Sequence, residues 1–105
     1  MKNFFVTITG MNQYCGNSGF KIGDELKIVK DYDNDFDDEA IKVEAVGLGT
    51  VGYVANSVRT VYKGTSSAGR IYDKIGECAK IRVMFVTHTS IIAELVIEEN
   101  ITTEQ

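Results

Sequence analysis

Six carboxylates fall within nine residues of this chain: Asp31, Asp33, Asp35, Asp37, Asp38 and Glu39, with Tyr32, Asn34 and Phe36 between them. Carboxylates spaced in this way can share a divalent cation, accept hydrogen bonds from hydroxyl groups, or cap backbone N–H groups in turns. The cation reading meets an obstacle at once. Asp31, Asp33 and Asp35 begin as an EF-hand loop begins. The sixth place, which needs glycine for a sharp turn, holds Phe36, and the twelfth, which needs a bidentate glutamate, holds Lys42. An EF-hand is excluded, and what stays is a weak calcium or magnesium site. The turn reading assigns Asn34 and Asp37 to Asx turns that lead into a strand at Ala40.

Other chemistry is scarce. Cys15 and Cys78 are the only cysteines and His88 the only histidine. A zinc site needs about four such ligands in tetrahedral reach, so no metal is expected and both thiols are expected to be free and reduced. Gly47-Leu48-Gly49 is half a dinucleotide fingerprint, but it precedes a strand instead of a helix. There is no P-loop and no nucleophile elbow. No catalytic set emerges, so the expectation is a binding module, not an enzyme, with no cofactor.

Net charge is −4, which argues against a general nucleic-acid coat protein. Its distribution says more. Residues 31–50 carry seven acids against Lys42 alone, whereas residues 51–82 carry Arg59, Lys63, Arg70, Lys74, Lys80 and Arg82 against Asp73 and Glu77. A local anion site is the functional reading, and a mixed solvated surface the plain one. Gly64-Thr65-Ser66-Ser67-Ala68-Gly69-Arg70 offers small residues and an arginine as an anion cradle, or else a tight interhelix linker. Tyr53, Val58, Val61, Tyr62 and Tyr72 read as packing, not as a platform for bases. No apolar run reaches the ~18 residues that cross a bilayer as a helix. Met1-Lys2-Asn3-Phe4-Phe5 starts no continuous apolar stretch, so no signal peptide, no membrane and a cytoplasmic location are expected.

The elements that must position these residues follow from periodicity. Strands are expected over Phe4–Thr9, Leu26–Lys30, Ala40–Ala45, Val51–Val54, Ala79–Val86 and Ile91–Ile97. Residues 10–19 read as a loop, and Gly47-Leu48-Gly49 as a hairpin turn. Helical spacing appears at Val54, Val58, Val61 and Tyr62, with Asn56 or Ser57 as N-cap and Gly64 as the stop. Ser66 or Ser67 caps a second short helix through Ile75. The expected fold is mainly β: a small six-stranded antiparallel barrel with two short helices between strands four and five. Residues 1–97 form one domain and 98–105 a polar tail.

The run Asn34-x-x-Asp37-x-x-Ala40-Ile41-x-Val43, continuing into Gly47-Leu48-Gly49-Thr50-Val51-Gly52-Tyr53-Val54, resembles the signature of the HIRAN domain over roughly residues 6–96. The resemblance implies an OB-like barrel. It also implies binding to the 3′ end of single-stranded DNA in repair or fork processing, beside an SNF2-type ATPase or another repair protein on a separate chain. By this resemblance Asp37 accepts a hydrogen bond from the 3′-hydroxyl, and Phe36, in a place usually held by tyrosine, keeps a ring for the terminal nucleotide. The first loop of DNA-binding relatives carries Arg-Tyr-Tyr, where this chain has Asn12, Gln13 and Tyr14. Tyr53 stands for a histidine, Asn56 for a lysine, and Arg59, Lys63, Arg70 and Lys74 are all candidates for the missing charge. The competing readings are a protein-interaction module on the same barrel and weak cation binding by the acidic loop. Positive charge beside Phe36 and Tyr14 favours DNA; negative charge favours a protein or a cation.

Overall fold

The computed structural model describes residues 4–10, 20–57, 60–87 and 90–96. The expected positions Asn12, Gln13, Tyr14, Cys15, Val58, Arg59, His88 and the 98–105 tail lie outside the described residues. Six strands form a closed antiparallel barrel: β1 (Phe5–Thr9), β2 (Glu25–Lys30), β3 (Ile41–Ala45), β4 (Gly49–Val54), β5 (Cys78–Val86) and β6 (Ile91–Val96). The order around the barrel is β1-β4-β3-β2-β5-β6, with β6 pairing back onto β1. Alternation drives this arrangement. Leu26 and Ile28 of β2, Ile41 and Val43 of β3, and Ile81 and Val83 of β5 point inward and are buried, while Lys27, Lys80 and Arg82 between them face water. Each large inward side chain contributes ~1.5–3 kcal/mol by burial. Register shifts between Val43 and Glu44 and between Val83 and Phe85 bend the sheet toward closure.

One helix, α1 (Ala68–Tyr72), lies between β4 and β5 among the described residues, not two. Ser67 caps it as expected, its side chain accepting from the Arg70 backbone N–H, and Ala68 and Ile71 enter the core. The element ends at Tyr72, short of the expected Ile75. The expected helix, capped at Asn56 or Ser57 and stopped at Gly64, is absent among the described residues, which form turns; the Thr60 and Val61 N–H groups still donate to the Ser57 carbonyl as in a single helical turn. The Tyr62 N–H donates instead to Thr7 Oγ1 at 3.1 Å, so β1 takes a donor that a helix would have spent four residues back. The Ser66 N–H donates to the Phe5 carbonyl at 2.6 Å and ties the following segment to β1. This segment also fills a seam. β1 and β4 pair only at Ile8–Val54 and Thr9–Tyr53, and a parallel bridge from Val6 to Ser66 continues the closure.

Candidate functional site

β2 and β3 are joined by the acidic loop, whose base is closed by the Asp31 N–H donating to the Ala40 carbonyl at 2.9 Å. Within it, Asn34 acts as an Asx hinge. Its Oδ1 accepts from the Phe36 and Asp37 N–H groups at 2.9 and 3.0 Å. This turn throws the Phe36 ring outward, where it is 98% exposed. The same turn brings Asp37 back toward β4. Asp37 Oδ1 accepts from the Glu39 N–H at 2.9 Å, and its Oδ2 accepts from Asn56 Nδ2 at 2.9 Å. Asn56 Oδ1 in turn accepts from the Gly69 N–H at 2.8 Å. One amide therefore ties the acidic loop to the exit of β4 and to α1. A Cβ at Gly69 would meet the Glu39 carboxylate, which is exposed and can swing aside, and would lie 3.2 Å from Asn56 Oδ1. An ionised carboxylate has about four acceptor positions. Two of those of Asp37 are taken, so it is held in place and can still accept from a hydroxyl.

Tyr53 faces outward on β4, opposite Lys42, and its hydroxyl donates to Asp31 Oδ2 at 2.8 Å. Asn34, Phe36, Asp37, Tyr53 and Asn56 all line one cleft of about 490 Å³, with Thr9, Ala40, Val54, Ala55, Ser57 and Thr60 completing its described wall. Five of the residues named from the sequence thus meet in one place. Arg70 does not line it. Arg70 lines an adjoining cleft of about 370 Å³ with Tyr62, Lys63, Thr65 and Ser67, and the two clefts share Asn56 and Ser57. Tyr62, expected as packing, is 44% exposed there. Thr9 and Thr60 carried no sequence signal and Ser57 only that of a helix cap, since small hydroxyl residues at strand ends and turns are common.

The charge beside Phe36 is negative. Asp37 is the one carboxylate on the described wall of the first cleft, and no lysine or arginine lines it there. Asp35 and Asp38 flank Phe36 and Asp37 in the chain and are exposed. Among the described residues, Lys63 and Arg70 line the adjoining cleft. No group of three or more Asp, Glu, His or Cys that could hold a metal ion occurs among the described residues. The carboxylates of Asp31 and Asp37 are turned onto the loop's own backbone and onto Tyr53 and Asn56. A third cleft, about 450 Å³ and floored by Leu26, Ala45 and Ala79, opens across β2. Its lysines are matched by Glu25 and Glu44 and no polar groups converge in it, so it offers less chemistry despite its apolar floor.

A family model described as the HIRAN domain matches residues 1–74. Among solved structures the fold is similar to the crystal structure of the HIRAN domain of human HLTF, with a TM-score of 0.63 and 18% identity, covering 89% of this chain and 72% of that one. No curated protein matches.

Proposed function

The chain belongs to the HIRAN domain family, and from that premise we propose that it is a nucleic-acid-binding module that takes the 3′-hydroxyl end of a single DNA strand. The observation that carries this reading is the pairing of an almost fully exposed Phe36 ring with a fixed Asp37 carboxylate at one cleft. A ring in that position stacks on any base. A carboxylate beside it accepts a hydroxyl proton and repels a phosphate. The negative charge at Phe36 by itself favours a protein or a cation, so the DNA reading rests on the family, on the ring and carboxylate side by side, and on Lys63 and Arg70 in the adjoining cleft. The module has no catalytic group of its own in this reading. It serves an SNF2-type ATPase or another repair protein carried on a separate chain.

The test is fluorescence polarisation with short labelled strands ending in 3′-OH or 3′-phosphate, at two salt concentrations. The 3′-OH strand binds more tightly, in the micromolar range or weaker, with a shallow salt dependence because few bases reach phosphates. If neither strand binds at ~100 μM protein in low salt, a level that reports even ~5–6 kcal/mol of binding, the DNA reading fails and the protein-interaction module replaces it.

A further inference from the structure

We infer that the cleft beside α1 holds the strand just 5′ of its terminal nucleotide, with Lys63 and Arg70 taking the phosphates and Tyr62 offering a ring to the adjoining base. The inference rests on the 3′-end reading and adds to it a direction, a length and two phosphate ligands. Three observations carry it. The first is continuity. Asn56 and Ser57 belong to both clefts, so a ligand seated against Phe36 and Asp37 leaves along the same wall that Lys63 and Arg70 line.

The second observation is charge. The terminal cleft has an acid and no described base, so a phosphodiester is repelled at Asp37 and attracted further along. Most other bases of residues 51–82 are engaged elsewhere. Arg82 pairs with Glu25 at 3.3 Å, Lys74 lies 5.4 Å from the Phe4 ring centre, and Lys80 lines the cleft across β2. Lys63 and Arg70 are both exposed, and neither makes an ion pair among the described residues. The hydroxyl end therefore points to the acidic loop and the 5′ direction runs toward α1.

The third observation is rigidity. The turn Tyr62–Thr65 carries both the ring and Lys63, and it is fastened to the buried Thr7. Thr7 Oγ1 accepts from the Tyr62 N–H at 3.1 Å and lies 2.8 Å from Thr65 Oγ1, while the Thr65 N–H donates to the Tyr62 carbonyl at 2.9 Å. A turn held in this way presents Tyr62 and Lys63 on a backbone already ordered, so that on binding only their side chains pay an ordering cost.

The experiment compares the intact protein with Lys63→Ala, Arg70→Ala, the double variant, and the charge-keeping Lys63→Arg with Arg70→Lys. The probes are 5′-labelled thymidine strands of increasing length, each with a 3′-OH or a 3′-phosphate, over a salt series. The affinity of the intact protein rises with length to about three nucleotides and then levels off, as expected for two stacked sites and their phosphates. Each alanine weakens binding several-fold and lowers the slope of log affinity against log salt by about 0.7, the value for one phosphate contact on a single strand. The double variant loses both increments, the charge-keeping pair restores the slope, and the preference for 3′-OH is unchanged throughout. If the intact protein binds and the double variant keeps the same affinity and slope, the inference is overturned while the 3′-end reading stands. If the alanines change the end preference instead of the slope, the inference is overturned as well. If the intact protein binds no strand, both readings fall together.

Discussion

Phe36 and Asp37 are neighbours with opposite fates, and the Asn34 side chain sets both by accepting their two N–H groups. The ring projects into water and the carboxylate folds back against Asn56. Their contributions to binding should separate accordingly. Phe36→Ala is expected to weaken 3′-OH and 3′-phosphate strands alike, by the ~1–3 kcal/mol that a base stack contributes. Asp37→Asn keeps an acceptor oxygen and removes the charge, so the difference between the two ends narrows. Polarisation binding of both strands to both variants checks this. An Asp37→Asn protein with an unchanged end preference would remove Asp37 from the terminal contact. Asn56 adds a residue-scale lesson. Its side chain satisfies Asp37 with one end and Gly69 with the other, a role that no local spacing announces.

At the scale of elements, the segment after β4 decides the shape of the second cleft. Its hydrogen bonds to Thr7 and Phe5 hold it as turns in the seam between β1 and β4. Gly64, at a φ of 95°, supplies the left-handed backbone that the Tyr62–Thr65 turn needs. Thr7→Val is nearly the same shape but has no hydroxyl. It leaves the Tyr62 N–H unpaired and should cost ~1–3 kcal/mol, measured as a lower denaturation midpoint, with binding weakened alongside because Tyr62 and Lys63 lose their support.

The acidic loop has its own tie to the barrel, since the Tyr32 hydroxyl donates to Glu77 Oε1 at 2.8 Å. That hydrogen bond, more than the slight burial and the charge of Glu77, raises the Tyr32 pKa above its ordinary value. A group whose folded pKa is raised stabilises fully below its unfolded pKa, near ~10 for tyrosine. The contribution is then lost as pH climbs through the raised value. Ultraviolet difference titration of the intact protein against Tyr32→Phe should show that Tyr32 titrates late, and Glu77→Gln should bring it back toward its ordinary value.

On the scale of the whole molecule, closure is the dominant fact. Ile8, Ile28, Ile41, Ile81 and Ile91 are all fully buried, each from a different strand, and α1 adds Ile71. Ile28→Ala, in the middle of β2, removes atoms from a core that cannot collapse around the gap without breaking the ring. The expected loss is ~2–5 kcal/mol in chemical denaturation, with binding unchanged in the fraction that stays folded, because Ile28 lies among the inward side chains and lines neither binding cleft. The molecule is also polar in the electrical sense. Its carboxylates gather at the β2–β3 loop, while Lys63 and Arg70 flank the adjoining cleft. A charged strand is steered by such a separation more than by the small net charge.

Alternation and a richness in β-formers determined the strands. Expected Phe4–Thr9, Ala40–Ala45 and Ile91–Ile97 fall within a residue of β1, β3 and β6: β3 starts with the alternation of a half-buried strand, while β1 and β6 are runs of β-branched and apolar residues with consecutive positions buried. Local chemistry also announced the Asn34 and Asp37 turns and the Ser67 cap, since each acts on N–H groups no more than three residues away. The residue types of the terminal cleft were readable for the same reason. What only the tertiary structure decided lies across long separations. The turns in place of the expected helix after Asn56 and Ser57 among the described residues, the bond from Asn56 to Asp37, and the choice of Lys63 and Arg70 over Lys74 at the cleft all depend on which segments the closed barrel brings together. A helix needs its own donors, and here Thr7 Oγ1, far away in sequence, takes the Tyr62 N–H.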